Sequence, residues 1–158
     1  MKLKIKLKNS FLALRWSLIQ MLVYTLILLY MNHVAATIAG ICFFLIWFIP
    51  ESIIHLKYYL HNRSREYSIN RSGISIENKN GIQYIPKEDI RGIMLKKPAN
   101  LQDGWDIHLT GITCYYYLKI TLNDDRVLYL TNLLDPHIDK ILAEHGYSYY
   151  REKGIAWI

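Results

Sequence analysis

FLIWFIPESIIHLKYYL, residues 44–60, sets a proline and a glutamate into an otherwise apolar run. The run begins at Val34, and if it stops at Pro50 it is 17 residues long. As a helix that is about 25 Å, the lower limit for a membrane span. If it continues through Glu51 to Leu56 the length is ample, but a carboxylate enters the span.

The residues upstream favour continuation. Phe11–Met31 is a 21-residue apolar stretch whose one charge is Arg15, and only Asn32-His33 separates it from Val34. The pair reads as a tight antiparallel transmembrane hairpin with spans at about 11–31 and 34–56. A turn centred near His33 places Arg15 and Glu51 each 18 residues away, at one depth about 27 Å from the turn. Ionisable residues in spans generally pair, so Arg15 and Glu51 are expected to face one another as a charge pair at the membrane interface. The competing arrangement lets each snorkel separately to headgroup water. Pro50 fits a kink at the exit, with Lys57, Tyr58 and Tyr59 as an interfacial belt.

The net charge of +6 is not spread evenly. Lys2, Lys4, Lys6, Lys8 and Arg15 crowd the first 16 residues, and Lys57, Arg63 and Arg65 follow the second span. From Glu66 onward there are 11 basic and 12 acidic side chains, which excludes a strongly basic nucleic-acid face. The turn carries no Lys or Arg, so the positive-inside rule puts both termini in the cytoplasm of an inner (plasma) membrane protein. A cleaved leader is the competing reading, with 34–36 as its cleavage region, but the first stretch is long for one and a second follows at once. The opening MKLKIKLK alternates with period two. It fits either a short strand or a basic strip on anionic lipid, and the lipid contact is the one expected here.

After Arg65 the pattern changes to short strands and turns. Glu66–Asn70, Gly73–Asn78, Gly81–Ile85, Ile90–Lys96, Trp105–Thr110, Ile112–Leu122 and Arg126–Thr131 make seven segments, with Asn80-Gly81 a strong hairpin signal. One helix follows, with Asp135 as N-cap, Pro136 at the first position, an Ile138/Ile141/Leu142 stripe and Gly146 past its end. The fold class is therefore α+β: residues 1–62 form a basic segment and hairpin, and 63–158 a seven-stranded antiparallel barrel or sandwich with one C-terminal helix.

The run REYSINRSGISIENKNGIQYIPKEDIRGI, then a long strand, NDDR, a strand and a closing helix, resembles the bacterial pleckstrin-homology-like (PH-like) membrane proteins over residues 11–146. The resemblance implies a seven-stranded PH-like barrel that acts as a binding or oligomerisation module beside the membrane. Two departures matter. Between the first two strands only Arg71 and Lys79 accompany Glu77, so phosphoinositide binding is not expected. The tail 147–158 runs past the family's helix, and its alternation suggests an added strand rather than an interfacial aromatic strip.

Chemistry is sparse. Cys42 and Cys114 are lone thiols outside any CxxC pattern. The six histidines, His33, His55, His61, His108, His137 and His145, form no metal-ligand spacing, and His55 joins Glu51 on one helical face as an interfacial polar patch. No nucleophile elbow or phosphate loop occurs. Asp103, Asp106 and Asp124-Asp125 read as turn residues. In a strand through Tyr115-Tyr116-Tyr117, Tyr115 and Tyr117 share a face. With Trp105 they are the candidate partner surface. No cofactor or metal is expected, and the chain is read as a non-enzymatic, membrane-anchored binding or scaffold module with a protein partner or a second copy of itself. The alternatives are a regulatory, assembly or immunity factor acting through the hairpin, and a lipid-modifying enzyme without a visible catalytic set.

Overall fold

The computed structural model describes residues 2–31, 34–102 and 111–158. A short strand, β1 (Lys2–Leu3), precedes two long helices, α1 (Leu7–Met31) and α2 (Val34–Asn62). Strands β2 (Glu66–Ile69), β3 (Gly73–Asn78), β4 (Gly81–Pro86) and β5 (Ile90–Lys97) follow, then a helical turn α3 (Ala99–Gln102). A 3-10 turn at Gly111–Cys114 leads into β6 (Tyr117–Leu122), β7 (Val127–Thr131), α4 (Ile138–Glu144) and β8 (Tyr150–Lys153).

Two four-stranded sheets form, ordered β1-β2-β3-β4 and β7-β6-β5-β8. The strands are antiparallel except for β8, which runs parallel to β5 with Leu95 opposite Arg151. Their inner faces supply the core: Leu3, Tyr67, Ile69, Ile74, Ile76 and Ile85 from the first sheet, Ile93, Leu95, Leu118, Ile120 and Leu130 from the second. Ile138, Ile141 and Leu142 of α4 join that core. The turns follow local chemistry. Asn70 Oδ1 accepts from the backbone N–H groups of Ser72 and Gly73, and Gly81 takes a φ of +125° that a side chain would resist. At the end of α4, the Tyr147 N–H reaches the Leu142 carbonyl and the Gly146 N–H that of Ala143, with Gly146 at φ +78°. This is the Schellman closure.

Several expectations change. The described residues hold eight strands, six at expected segments and one added at each chain end. Lys2–Leu3 pairs with Tyr67–Ser68, and Leu3 is only 2% exposed, so MKLKIKLK begins as a strand and not as a strip on lipid. The domain therefore starts before the hairpin, and a boundary at 62/63 cuts through one sheet. The long strand expected from Ile112 starts only at Tyr117, since Gly111–Cys114 winds as a 3-10 turn. The helix starts at Ile138, while Asp135 accepts from the His137 N–H in the turn before it. The strand expected at 105–110 lies outside the described residues. The tail does add a strand, β8.

The hairpin is also longer than its apolar parts. Leu7–Leu28 and Thr37–Asn62 are long and apolar enough to cross a membrane. Leu28 packs over Gly40, where a Cβ would come within 2.9 Å of Leu28 Cδ2. Gly40 thus serves contact within the hairpin.

Candidate functional site at the joint of hairpin and sheets

Both helices are clamped to the domain by their sheet-proximal ends. On α2, Glu51, Ile54, Tyr58 and Asn62 recur at three- and four-residue spacing and are all buried. On α1 the matching stripe is Asn9, Ala13 and Ser17, at intervals of four. Asn9 Nδ2 donates to the carbonyls of Leu133 (3.2 Å) and Leu134 (2.8 Å). Asn62 Nδ2 donates to Thr131 Oγ1 at 3.0 Å. These buried side-chain bonds fix the helices in rotation as well as in depth.

The aromatic face of the second sheet fills the space between. Tyr58 stands edge-on to Tyr115 at 5.4 Å and to Tyr117 at 6.4 Å, and Tyr117 meets Tyr129 at 5.4 Å. His55 Nδ1 and the Tyr115 hydroxyl are 2.8 Å apart, and the Tyr58 hydroxyl donates to the Ala156 carbonyl at 2.7 Å. Such aromatic pairs add ~0.5–1.5 kcal/mol each beyond their burial. Tyr115 and Tyr117 are therefore not an open partner surface: the chain's own second helix covers them. Trp105, proposed beside them, lies outside the described residues, as do Asp103, Asp106 and His108.

Glu51 sits at the centre of the joint. It is 2% exposed, accepts a hydrogen bond from Ser17 Oγ, and leaves Oε1 without a partner among the described residues. Gly111 lies against it so closely that a Cβ there would fall on the carboxylate. Arg15 is exposed, with its guanidinium 5.6 Å from the Trp16 ring. The expected Arg15–Glu51 pair is thus replaced by Ser17–Glu51. The reason is register. Ser17 and Glu51, like Leu28 and Gly40, are symmetric about residue 34, not about His33, and the two-residue difference turns Arg15 roughly 200° away from the joint. Sequence reasoning missed Ser17, Asn9 and Gly111, although the Asn9/Ala13/Ser17 stripe was there to find.

The joint also tunes its neighbours. Burial, then the charge of Glu51, pushes the Cys114 thiol up to about 12, against an opposing pull from Arg15. The same two causes, burial first, raise Tyr115. No cluster of three metal-ligating side chains occurs among the described residues.

A PH domain family model matches residues 2–138. The chain belongs to the PH domain family. No curated protein and no solved structure matches it. The match begins at β1 and runs through the helical hairpin, which lies between the first two strands of the first sheet. Around that hairpin the basic residues divide. Lys2 pairs with Glu66 (3.4 Å) and Glu77 (3.7 Å), and the Glu66 bond and charge raise its ammonium. Lys57 donates to the Ile158 carbonyl and lies 5.8 Å from the Trp157 ring. Lys4, Arg63 and Arg65 line a shallow depression of about 360 Å³ with Lys79. Lys6 and Lys8 are exposed at the start of α1.

Proposed function

We propose that this PH-like domain is a non-enzymatic binding module held against the cytoplasmic face of a membrane by its own inserted hairpin. The observation that carries this reading is the clamp: β1 and β2 pair directly on either side of the hairpin, and both helices are hydrogen-bonded to the domain. A flexible tether would hold the domain near the bilayer. A clamped hairpin also orients it, and nearness with fixed orientation raises the effective concentration of a binding surface for a partner in the same membrane.

The lengths support the arrangement. A 30 Å hydrocarbon layer takes ~20 helical residues on each arm, which brings its inner edge to the level of Ala13 and Ile54, within about one helical turn of Ser17 and Glu51, where the domain begins to cover the helices. The 3-10 turn at Gly111–Cys114 then rests at the membrane edge, and the depression lined by Lys4, Arg63 and Arg65 lies beside the helix exits. Both ends of the hairpin leave on one side, and the basic flanks make that side the cytoplasm.

Photo-crosslinking in cells tests the reading. A crosslinking residue replacing Ile82 or Tyr84, exposed on β4, should yield a protein adduct, while one replacing Ile38 or Ile41 on the hairpin should not. The reverse pattern would transfer the binding role to the hairpin, as in an assembly or immunity factor. Adducts from neither would end the binding-module reading.

A further inference from the structure

The two helices enclose a groove of about 640 Å³ that the PH-like domain does not cover. Leu14 and Leu18 of α1 and Phe48 and Leu56 of α2 form its apolar walls. Asn9, Ala13, Ile54 and Tyr58 turn to the domain instead, while Ser17 and His55 border both the groove and the joint. Leu7, which also lines the groove, is 91% exposed and Leu56 is 55% exposed. Four hydroxyls, those of Ser10, Ser17, Ser52 and Tyr59, and the His55 imidazole interrupt this apolar lining. Its volume falls within the ~300–1,000 Å³ of small-molecule sites.

We propose that this groove is a binding site for one anionic phospholipid of the leaflet on the domain side. The site rests on the membrane anchoring proposed above. The acyl chains lie along Leu14, Leu18 and Phe48, the ester oxygens accept from Ser10 and Ser52, and the phosphate is met by Lys6 and Lys8. Those two lysines bracket Leu7 in the chain and are exposed. Charge selects the lipid over a second copy of the chain. A two-fold interface through the groove, with its axis along the bilayer normal, would bring the same lysine-bearing ends together, and like charges in contact repel. An anionic headgroup at that point is attracted by each lysine near the surface. Phosphatidylglycerol fits this description and phosphatidylcholine, with no net charge, does not.

The test uses the full chain reconstituted in vesicles of phosphatidylcholine doped with a photoactivatable phosphatidylglycerol or, in parallel, a photoactivatable phosphatidylcholine. Peptides carrying residues 7–18 and 48–59 should label from phosphatidylglycerol roughly thirtyfold more than from phosphatidylcholine, given two lysines at the headgroup level. Lys6→Gln with Lys8→Gln, both on the surface, should erase that preference, and Leu14→Trp should block labelling from either lipid by filling the wall. Equal labelling from both lipids over the whole apolar surface overturns the site while leaving the anchor intact. Crosslinked dimers through position 14 overturn it in favour of a second copy. A chain that does not float with either vesicle overturns the anchor, and the site with it.

Discussion

Glu51 and Gly111 depend on one another. The carboxylate is sealed in the joint, so a methyl group at position 111 cannot displace it into solvent. Gly111→Ala should therefore cost roughly 1–3 kcal/mol, the range for overpacking, measured by thermal unfolding of the detergent-solubilised full chain. In a Glu51→Ala background the same substitution should lose most of that penalty, giving a coupling of at least ~0.5 kcal/mol. Equal costs in both backgrounds would mean that the two side chains do not share the space. Cys114 offers a second measurement at this scale. With its thiol pushed up to about 12 by burial and by Glu51, only about one molecule in ten thousand carries the reactive thiolate at pH 8. In a Cys42→Ser chain, iodoacetamide at pH 8 should modify Cys114 far more slowly than an exposed cysteine, and at the ordinary rate once the chain is unfolded. At this scale the sequence revealed that Glu51 needed a partner but not which one. A shift of one residue in the hairpin centre moves the facing position by two and exchanges Arg15 for Ser17, and nothing in Asn32-His33 sets that centre.

At the scale of elements, β1 and the second helix decide how far the fold could be read. The alternation of MKLKIKLK was visible, yet it fits a strand and a lipid-bound strip equally well. Its partner, Glu66–Ile69, lies beyond two helices, and no local pattern reports so distant a pairing. The strands from β2 to β4 were legible because short turns with Asn and Gly fix both pairings locally. Tyr115 and Tyr117 do share a face opposite Tyr116, although only Tyr117 lies in a strand, but their cover was misread, since the spacing of Glu51, Ile54, Tyr58 and Asn62 was hidden in an apolar run that lipid alone explained. Leu3 gives the direct check on β1. Leu3→Ala should destabilise the chain by ~2–4 kcal/mol through the cavity left in the core, seen as a lower unfolding midpoint. Lys2→Gln, whose ion pairs lie at the surface, should move that midpoint little. If the segment lay on lipid instead, the lysine change would weaken vesicle binding and the leucine change would leave folding intact.

At the scale of the whole molecule, the insertion of a hairpin between paired strands ties topology to folding. Excising residues 63–158 removes β1 from the first sheet and strips α2 from Tyr115 and Tyr117, so that fragment should aggregate where the full chain in detergent does not. The same connection constrains where the chain ends lie. Lys4 follows β1 directly and Arg151 sits in β8, both on the domain side of the hairpin. In a chain whose native Cys42 and Cys114 are replaced by serine, single cysteines at Lys4 and at Arg151 should both resist a membrane-impermeant maleimide in intact cells and react after permeabilisation. A cysteine at His33, in the connection between the two apolar segments, should react in intact cells. The three positions separate two errors. If Lys4 and Arg151 react from outside while His33 is protected, the orientation drawn from the basic flanks is reversed but the fold stands. If Lys4 and Arg151 differ from one another, a membrane separates β1 from β8, and β1 cannot be paired with β2 as an insertion between them requires.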